Sequence, residues 1–259
     1  MRTLVALLLV GCLGATACGS GGGEPTLAGA PSTTLTTSAP TTLPPTTTMP
    51  PPTTASPTTA PPTTAGPVVS PAADGRPVLE QEWIQFATSS DVSLFYPSAR
   101  VERIGFHQSN HEGAQQIDPL PDAVRPVTMA TRDRLSGDRS AADVVSDPAL
   151  EVRAPVSGRV VAANSYVLYC DYTDELVFIE PDEHPGWRIK VLHVVGVQVA
   201  PGDRVVAGQT PIALHPHQLP FGSQVDDYRT VDPPWPHVHI EVVDLSIPDV
   251  PNPGSGGDC

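Results

Sequence analysis

The chain has 259 residues, with 32 Pro, 21 Gly and only 5 % aromatic residues, which excludes a helical bundle or coiled coil. Its formal net charge is −14, with Lys190 as the single lysine, so a nucleic-acid backbone or an anionic lipid surface is a poor partner. Beyond residues 4–10 no long apolar run exists that could span a bilayer as a helix.

The chain opens with Arg2 and a seven-residue apolar core, Leu4 to Val10, followed by small residues. This reads as a secretory signal, too short for a membrane helix. Ala15-Thr16-Ala17-Cys18 followed by a Gly/Ser tether resembles a bacterial lipoprotein signal over residues 1–18, with Cys18 lipidated. Cys12 fits the same pattern but would leave a very short apolar core. The expected location is extracytoplasmic, anchored to the cell membrane through Cys18 only, or secreted into the cell wall. Residues 19–75 read as a stalk. Residues 25–73 carry no charge, and Pro31 to Pro67 contains 11 Pro and 15 Thr in 37 residues. Such a tract cannot bury apolar surface and stays extended, reaching ~150 Å at most at ~3.1 Å per residue.

Residues 76–251 are long enough for a real core. Short runs rich in Val, Ile, Leu and aromatics predict strands at Glu82–Ala87, Ser93–Tyr96, Val101–Phe106, Ala142–Val145, Arg159–Ala163, Val167–Cys170, Leu176–Glu180, Arg188–Val194, Thr210–Leu214 and Val238–Val243. Turn residues such as Asp147-Pro148, Ser157-Gly158, His184-Pro185-Gly186 and Pro201-Gly202-Asp203 separate them. The fold class is all-β, with two packed antiparallel sheets, followed by a flexible tail over 252–259. Gln108 to Arg139 is polar and irregular, and a loop of that length is either functional or disordered.

Cys170 and Cys259 are the two cysteines left after the signal, and an oxidising compartment favours their pairing. Of eight histidines, His237 and His239 stand out. At i and i+2 of a strand they share one face, while Val238 and Ile240 take the other. Two imidazoles on one face suit a metal. His215-Pro216-His217 has the same spacing, but Pro216 disfavours an interior strand, so it reads as a loop without a role.

Ala154-Pro155-Val156-Ser157-Gly158-Arg159-Val160 and Val199-Ala200-Pro201-Gly202-Asp203-Arg204-Val205-Val206-Ala207-Gly208-Gln209 resemble the paired turns of a barrel-sandwich hybrid of interlocked hairpins. Biotin- and lipoyl-carrier domains share this pairing, but Lys190 lacks their flanking pattern. Pro236-His237-Val238-His239-Ile240-Glu241-Val242 resembles the closing motif of the lysostaphin-type (LytM-like) zinc endopeptidases, and Val191-Leu192-His193 loosely resembles their upstream His strand. The likeness runs from about Val101 to Val243.

That resemblance implies Zn2+ held by an H-x-x-x-D pair and the second His of H-x-H. His239 and Asp143 fill two of these places. Arg139 stands four residues before Asp143 and cannot bind zinc, so an insertion must split the pair. His111, within His111-Glu112-Gly113, is the expected third ligand, with His107 as second choice. His237 takes the family's proton-transfer role and His193 its oxyanion role. The implied activity is hydrolysis of peptidoglycan peptides by a monomer. The alternative is an inactive domain of the same fold that binds peptidoglycan or regulates another envelope hydrolase.

Overall fold

The computed structural model of the protein describes residues 69–80, 84–134 and 136–250. The signal, Cys12, Cys18, most of the stalk, the tail over 252–259 and Cys259 lie outside the described residues.

Fifteen strands follow in chain order. They are β1 (Val69–Pro71), β2 (Pro77–Glu80), β3 (Gln85–Ser89), β4 (Val92–Phe95), β5 (Arg100–His107), β6 (Asp118–Pro119), β7 (Pro126–Thr128), β8 (Ala141–Ser146), β9 (Val152–Arg153), β10 (Gly158–Leu168), β11 (Tyr172–Pro181), β12 (Trp187–Val197), β13 (Arg204–Val205), β14 (Pro211–Pro216) and β15 (His237–Asp244). A short 3-10 helix, Gln224–Tyr228, is the one helical element among the described residues. The domain is all-β. A twelve-stranded sheet runs β1-β2-β5-β8-β15-β12-β11-β10-β13, with β14 joining β12 to β9 and β7 lying parallel to β5. A three-stranded sheet runs β4-β3-β6.

Where described, the runs that predict strands form them, with three differences; residues 82 and 83 of the run Glu82–Ala87 lie outside the described residues, and β3 begins at Gln85. Arg159–Ala163 and Val167–Cys170 are one strand, β10, whose partner β11 returns through a turn after Leu168. Strand pairing begins at β1, inside the segment expected to be stalk, where Val69 faces Leu79. Arg76 then buries its guanidinium 2.5 Å from Glu102 on β5, which ties this N-terminal ribbon to the sheet. Finally, His215 lies on β14, opposite Val195, with Pro216 at the strand's last position where a missing N–H costs little.

Period two decides the faces. Ile104 and Phe106 of β5, Ala142 and Val144 of β8, Val238, Ile240 and Val242 of β15, and Ile189 and Val191 of β12 enter one core with Phe86 and Leu94 of the small sheet. The alternate residues of these same four adjacent strands face the other way, and there the site is built.

Candidate metal centre and its groove

Strands β5, β8, β15 and β12 lie side by side. Asp143 on β8 is paired with His239 on β15 and with Gly105 on β5, and His239 is paired in turn with Leu192 on β12. His107 ends β5 opposite Ala141, two residues from Asp143 and on the same face. Gly105 is required here. A Cβ on it would come within 2.8 Å of Val225 Cγ2 and 2.9 Å of Met129 Sδ, which belong to a small apolar cluster closing over this end of the sheet. His107, Asp143, Leu192 and His239 line a groove of about 500 Å³.

His107, Asp143 and His239 form a cluster in which one ligand atom from each lies within 4.8 Å of the others. His107 Nε2 is 3.2 Å and His239 Nδ1 is 2.8 Å from Asp143 Oδ1. The other ring nitrogens are held as well: His107 Nδ1 is 2.9 Å from the Gln108 carbonyl, and His239 Nε2 is 3.1 Å from Glu241 Oε1. Two imidazoles and a carboxylate converging, each imidazole fixed by an outer oxygen, is the donor chemistry of a zinc site with an open position. Zinc fits these residues.

Electrostatics agree with a site made for a cation. Burial disfavours charge on Asp143, yet His107, His237 and His239 around it hold its carboxyl well below the usual carboxylate range. Burial likewise opposes charge on His239, but its bonds to Asp143 and Glu241 outweigh this and raise it to about 9. His239 thus sits between two carboxylates that favour a cation there, a position a metal cation can take over. Glu241 is lowered against its own burial by Lys190 (3.2 Å away), by His239 and by Ser109, whose Oγ donates to it at 2.8 Å. Burial pushes His237 down to about 3, so it is neutral. Its Nε2 lies 3.7 Å from Asp143 Oδ1, outside hydrogen-bond range.

His193 reaches the groove against the strand's period. Alternation along β12 would put it on the core face with Val191. A bulge opposite Glu175 and Leu176 and a φ of 61° at His193 turn the ring to the groove side instead. Its ring centroid is 5.1 Å from that of His237 and 5.7 Å from that of His239. Asp174 on β11 orients it, with Oδ2 2.6 Å from His193 Nδ1, which leaves Nε2 for the groove. Tyr166 Oη donates to the same carboxylate at 2.6 Å, and His217 Nδ1 lies 2.8 Å from its other oxygen. Burial works against the Asp174 charge, but His193 and these partners bring it down to about 2.

Of the expected site residues, Asp143, His193, His237 and His239 converge. His111 does not join the donor cluster; His107 takes that place. The physical reason is register. β5 stays paired with β8 as far as His107, and the chain then leaves the sheet. His111 accepts from the Gly113 N–H at 3.0 Å, and its Nε2 is 3.7 Å from Asp249 at the groove's rim. The reading of His215-Pro216-His217 as a loop without a role fails for His217, which braces Asp174. Asp174, Tyr166 and Gln108 carry no local sequence signal. Glu241 does: it shares the strand face of His237 and His239.

No protein-family model matches the chain, and no curated protein matches it. A solved structure, the crystal structure of a zinc containing peptidase from Vibrio cholerae, is similar at 18 % identity over 70 % of this chain and 45 % of that chain, with a TM-score of 0.31. The chain thus spans less than half of that protein's length. What the site can do follows from its own geometry.

Proposed function

We propose that the protein is a zinc-dependent endopeptidase that hydrolyses peptide bonds of cell-wall peptidoglycan. The convergence of His107, Asp143 and His239 in one groove wall carries this reading, and the resemblance of Pro236–Val242 to the lysostaphin-type motif supports the substrate class. Zinc bound there supplies Lewis-acid polarisation of a carbonyl and a water acidified toward pKa ~7. The chain's own residues do the rest. His237 stands beside the donor cluster, its Nε2 3.7 Å from Asp143 Oδ1, where it would take the proton of an attacking water. His193 gives its Nδ1–H to the Asp174 carboxylate and presents Nε2 to the groove, where the ring, once it has taken up a proton there, would donate to a developing oxyanion. Glu241 and the Gln108 carbonyl keep the two donor imidazoles in orientation.

The placement of the activity is part of the proposal. Cys18 would anchor the protein outside the cytoplasmic membrane and the Pro/Thr tract would hold the domain out in the wall. Release of Cys18→Ser protein into the medium supports the anchor; retention with processing at Cys12 moves it there.

The deciding experiment pairs metal analysis of protein purified without chelators with digestion of purified peptidoglycan. About one zinc per chain and new peptide termini, both lost on chelation and restored by zinc, support the enzyme. Metal-free protein that cuts nothing after zinc addition makes it an inactive binding domain.

A further inference from the structure

The groove's other wall is the segment after β5, and one side chain organises it. Gln108 is 8 % exposed. Its Oε1 accepts from Thr131 Oγ1 and the Arg132 N–H, both at 2.9 Å, and from the Arg134 N–H at 3.2 Å. Its Nε2 donates toward the Arg134 carbonyl at 3.3 Å and the Ser136 carbonyl at 3.4 Å, with Asp138 Oδ1 at 3.3 Å. Arg134 Nη1 returns a bond to the Gln108 carbonyl at 2.6 Å. The chain around Arg132 and Arg134 is thus wrapped on a buried amide, and both arginines form part of the groove lining.

Other charges in the groove are matched. Lys190 meets Glu241 at 3.2 Å, imidazoles surround Asp143, and His111 faces Asp249. Arg132 is exposed and Arg134 half-buried, and neither is paired with a carboxylate among the described residues. This happens in a chain with 28 acidic residues against 14 Arg and Lys, where acidic partners are plentiful. Partial burial and the charge of Arg132 weigh against the Arg134 cation more than Tyr169, Glu241 and Asp143 in the groove favour it, and an incoming anion would relieve the remainder.

We propose that Arg132 and Arg134 form an anion subsite in the groove that takes a carboxylate of the peptide substrate. The proposal rests on the peptidase reading and names its specificity. Guanidinium forks match the carboxylate plane and bind it bidentately. A polyanion such as nucleic acid is disfavoured by the net charge of −14. The groove also carries Leu168, Leu219 and Phe221, apolar surface suited to the body of a peptide. The carboxylate can come from an acidic side chain or from a free C-terminus.

The test is binding, measured on metal-free full-length protein so that catalysis plays no part. The probes are acetyl-Ala-Glu-Ala-Glu-Ala as the free acid, the same peptide with glutamines in place of glutamates, and its C-terminal amide. Titration calorimetry should show the free acid binding about tenfold tighter than a peptide lacking the recognised carboxylate. Loss in the glutamine arm assigns a side-chain acid, and loss in the amide arm assigns the C-terminus. Arg132→Glu, at an exposed position where the substitution keeps the backbone bond to Gln108, should abolish the preference, and Arg134→Lys should weaken it. Equal binding of all three peptides to the wild type overturns the proposal, as does a preference unchanged in Arg132→Glu. Zinc content and peptidoglycan cleavage, measured separately, decide the peptidase reading whichever way the binding falls.

Discussion

His239 and Asp143 are directly opposite each other across β15 and β8, and His239 Nδ1 lies 2.8 Å from Asp143 Oδ1. The contact is built into sheet register, so it does not depend on any loop. His107 joins it by the same means, as a same-face neighbour on β5. Substitution should therefore separate two histidines that lie four residues apart. His107→Ala, Asp143→Ala and His239→Ala should each lose zinc by at least 100-fold in affinity, and His111→Ala should retain it. Metal analysis after dialysis against a competing chelator reads this. Zinc lost from His111→Ala and kept in His107→Ala would reverse the assignment.

Glu241 should tune the centre without being part of it. It bonds His239 Nε2 and is itself held by Lys190 and Ser109. Outer partners of this kind are worth about 10- to 100-fold in metal affinity. Glu241→Gln should weaken zinc by that amount while the fold stays intact, since the amide keeps the volume and one acceptor oxygen. An unchanged affinity would reduce Glu241 to a partner of Lys190.

Much of this was legible in the sequence. His237 and His239 share a face by period two, and the turns around Ala154 and Gly202 placed Asp143 ahead of them. The donor on β5 was not legible, because the usual spacing to Asp143 is interrupted and only the pairing of β5 with β8 chooses His107 over His111. Nor could period two find the true face of His193, which a bulge reverses. Asp174 on β11 and His217 just after β14 meet across β12; Asp174 lies in no motif, and the H-x-H spacing of His217 does not reveal its role as a brace.

The Asp174–His193 pair yields a test of chemistry apart from metal binding. Asp174→Asn keeps the shape but can no longer fix the His193 tautomer as a carboxylate does. Peptide cleavage should fall on the order of 100-fold with zinc content unchanged. His237→Ala should behave similarly, since its nitrogens stand outside the donor cluster. Asp174 also has a stability signature. Its carboxyl is lowered from 3.8 to about 2, so the folded state favours the charged form. That contribution is complete above pH 3.8 and is lost as pH falls through about 2. Asp174→Asn should flatten this part of the acid-unfolding curve; an unchanged acid limb would mean the network is not formed.

Cys170 is disulfide-bonded, and Cys259, its expected partner, lies outside the described residues. Closing so long a loop should contribute about 4 kcal/mol. Mass analysis without reduction should show the two joined, and Cys259→Ser should lower the unfolding midpoint. Two free thiols in the purified full-length protein would refute the pairing.

Gly105 offers the most direct link between packing and site. It stands opposite Asp143 on β5, two residues before His107. A methyl group there meets Val225 Cγ2 at 2.8 Å and Met129 Sδ at 2.9 Å. Met129 is flexible and can yield, but Val225 belongs to the short 3-10 helix and is 1 % exposed, so that side can move only with its backbone. Overpacking of this kind costs about 1–3 kcal/mol. Gly105→Ala should lower the melting temperature, and because the strain acts on the strand that aims His107, it should weaken zinc as well. Met129→Ala in the same chain removes one of the two contacts and should recover part of both losses. A Gly105→Ala protein with unaltered melting and zinc affinity would show that the apolar cluster over β5 is not closed as described.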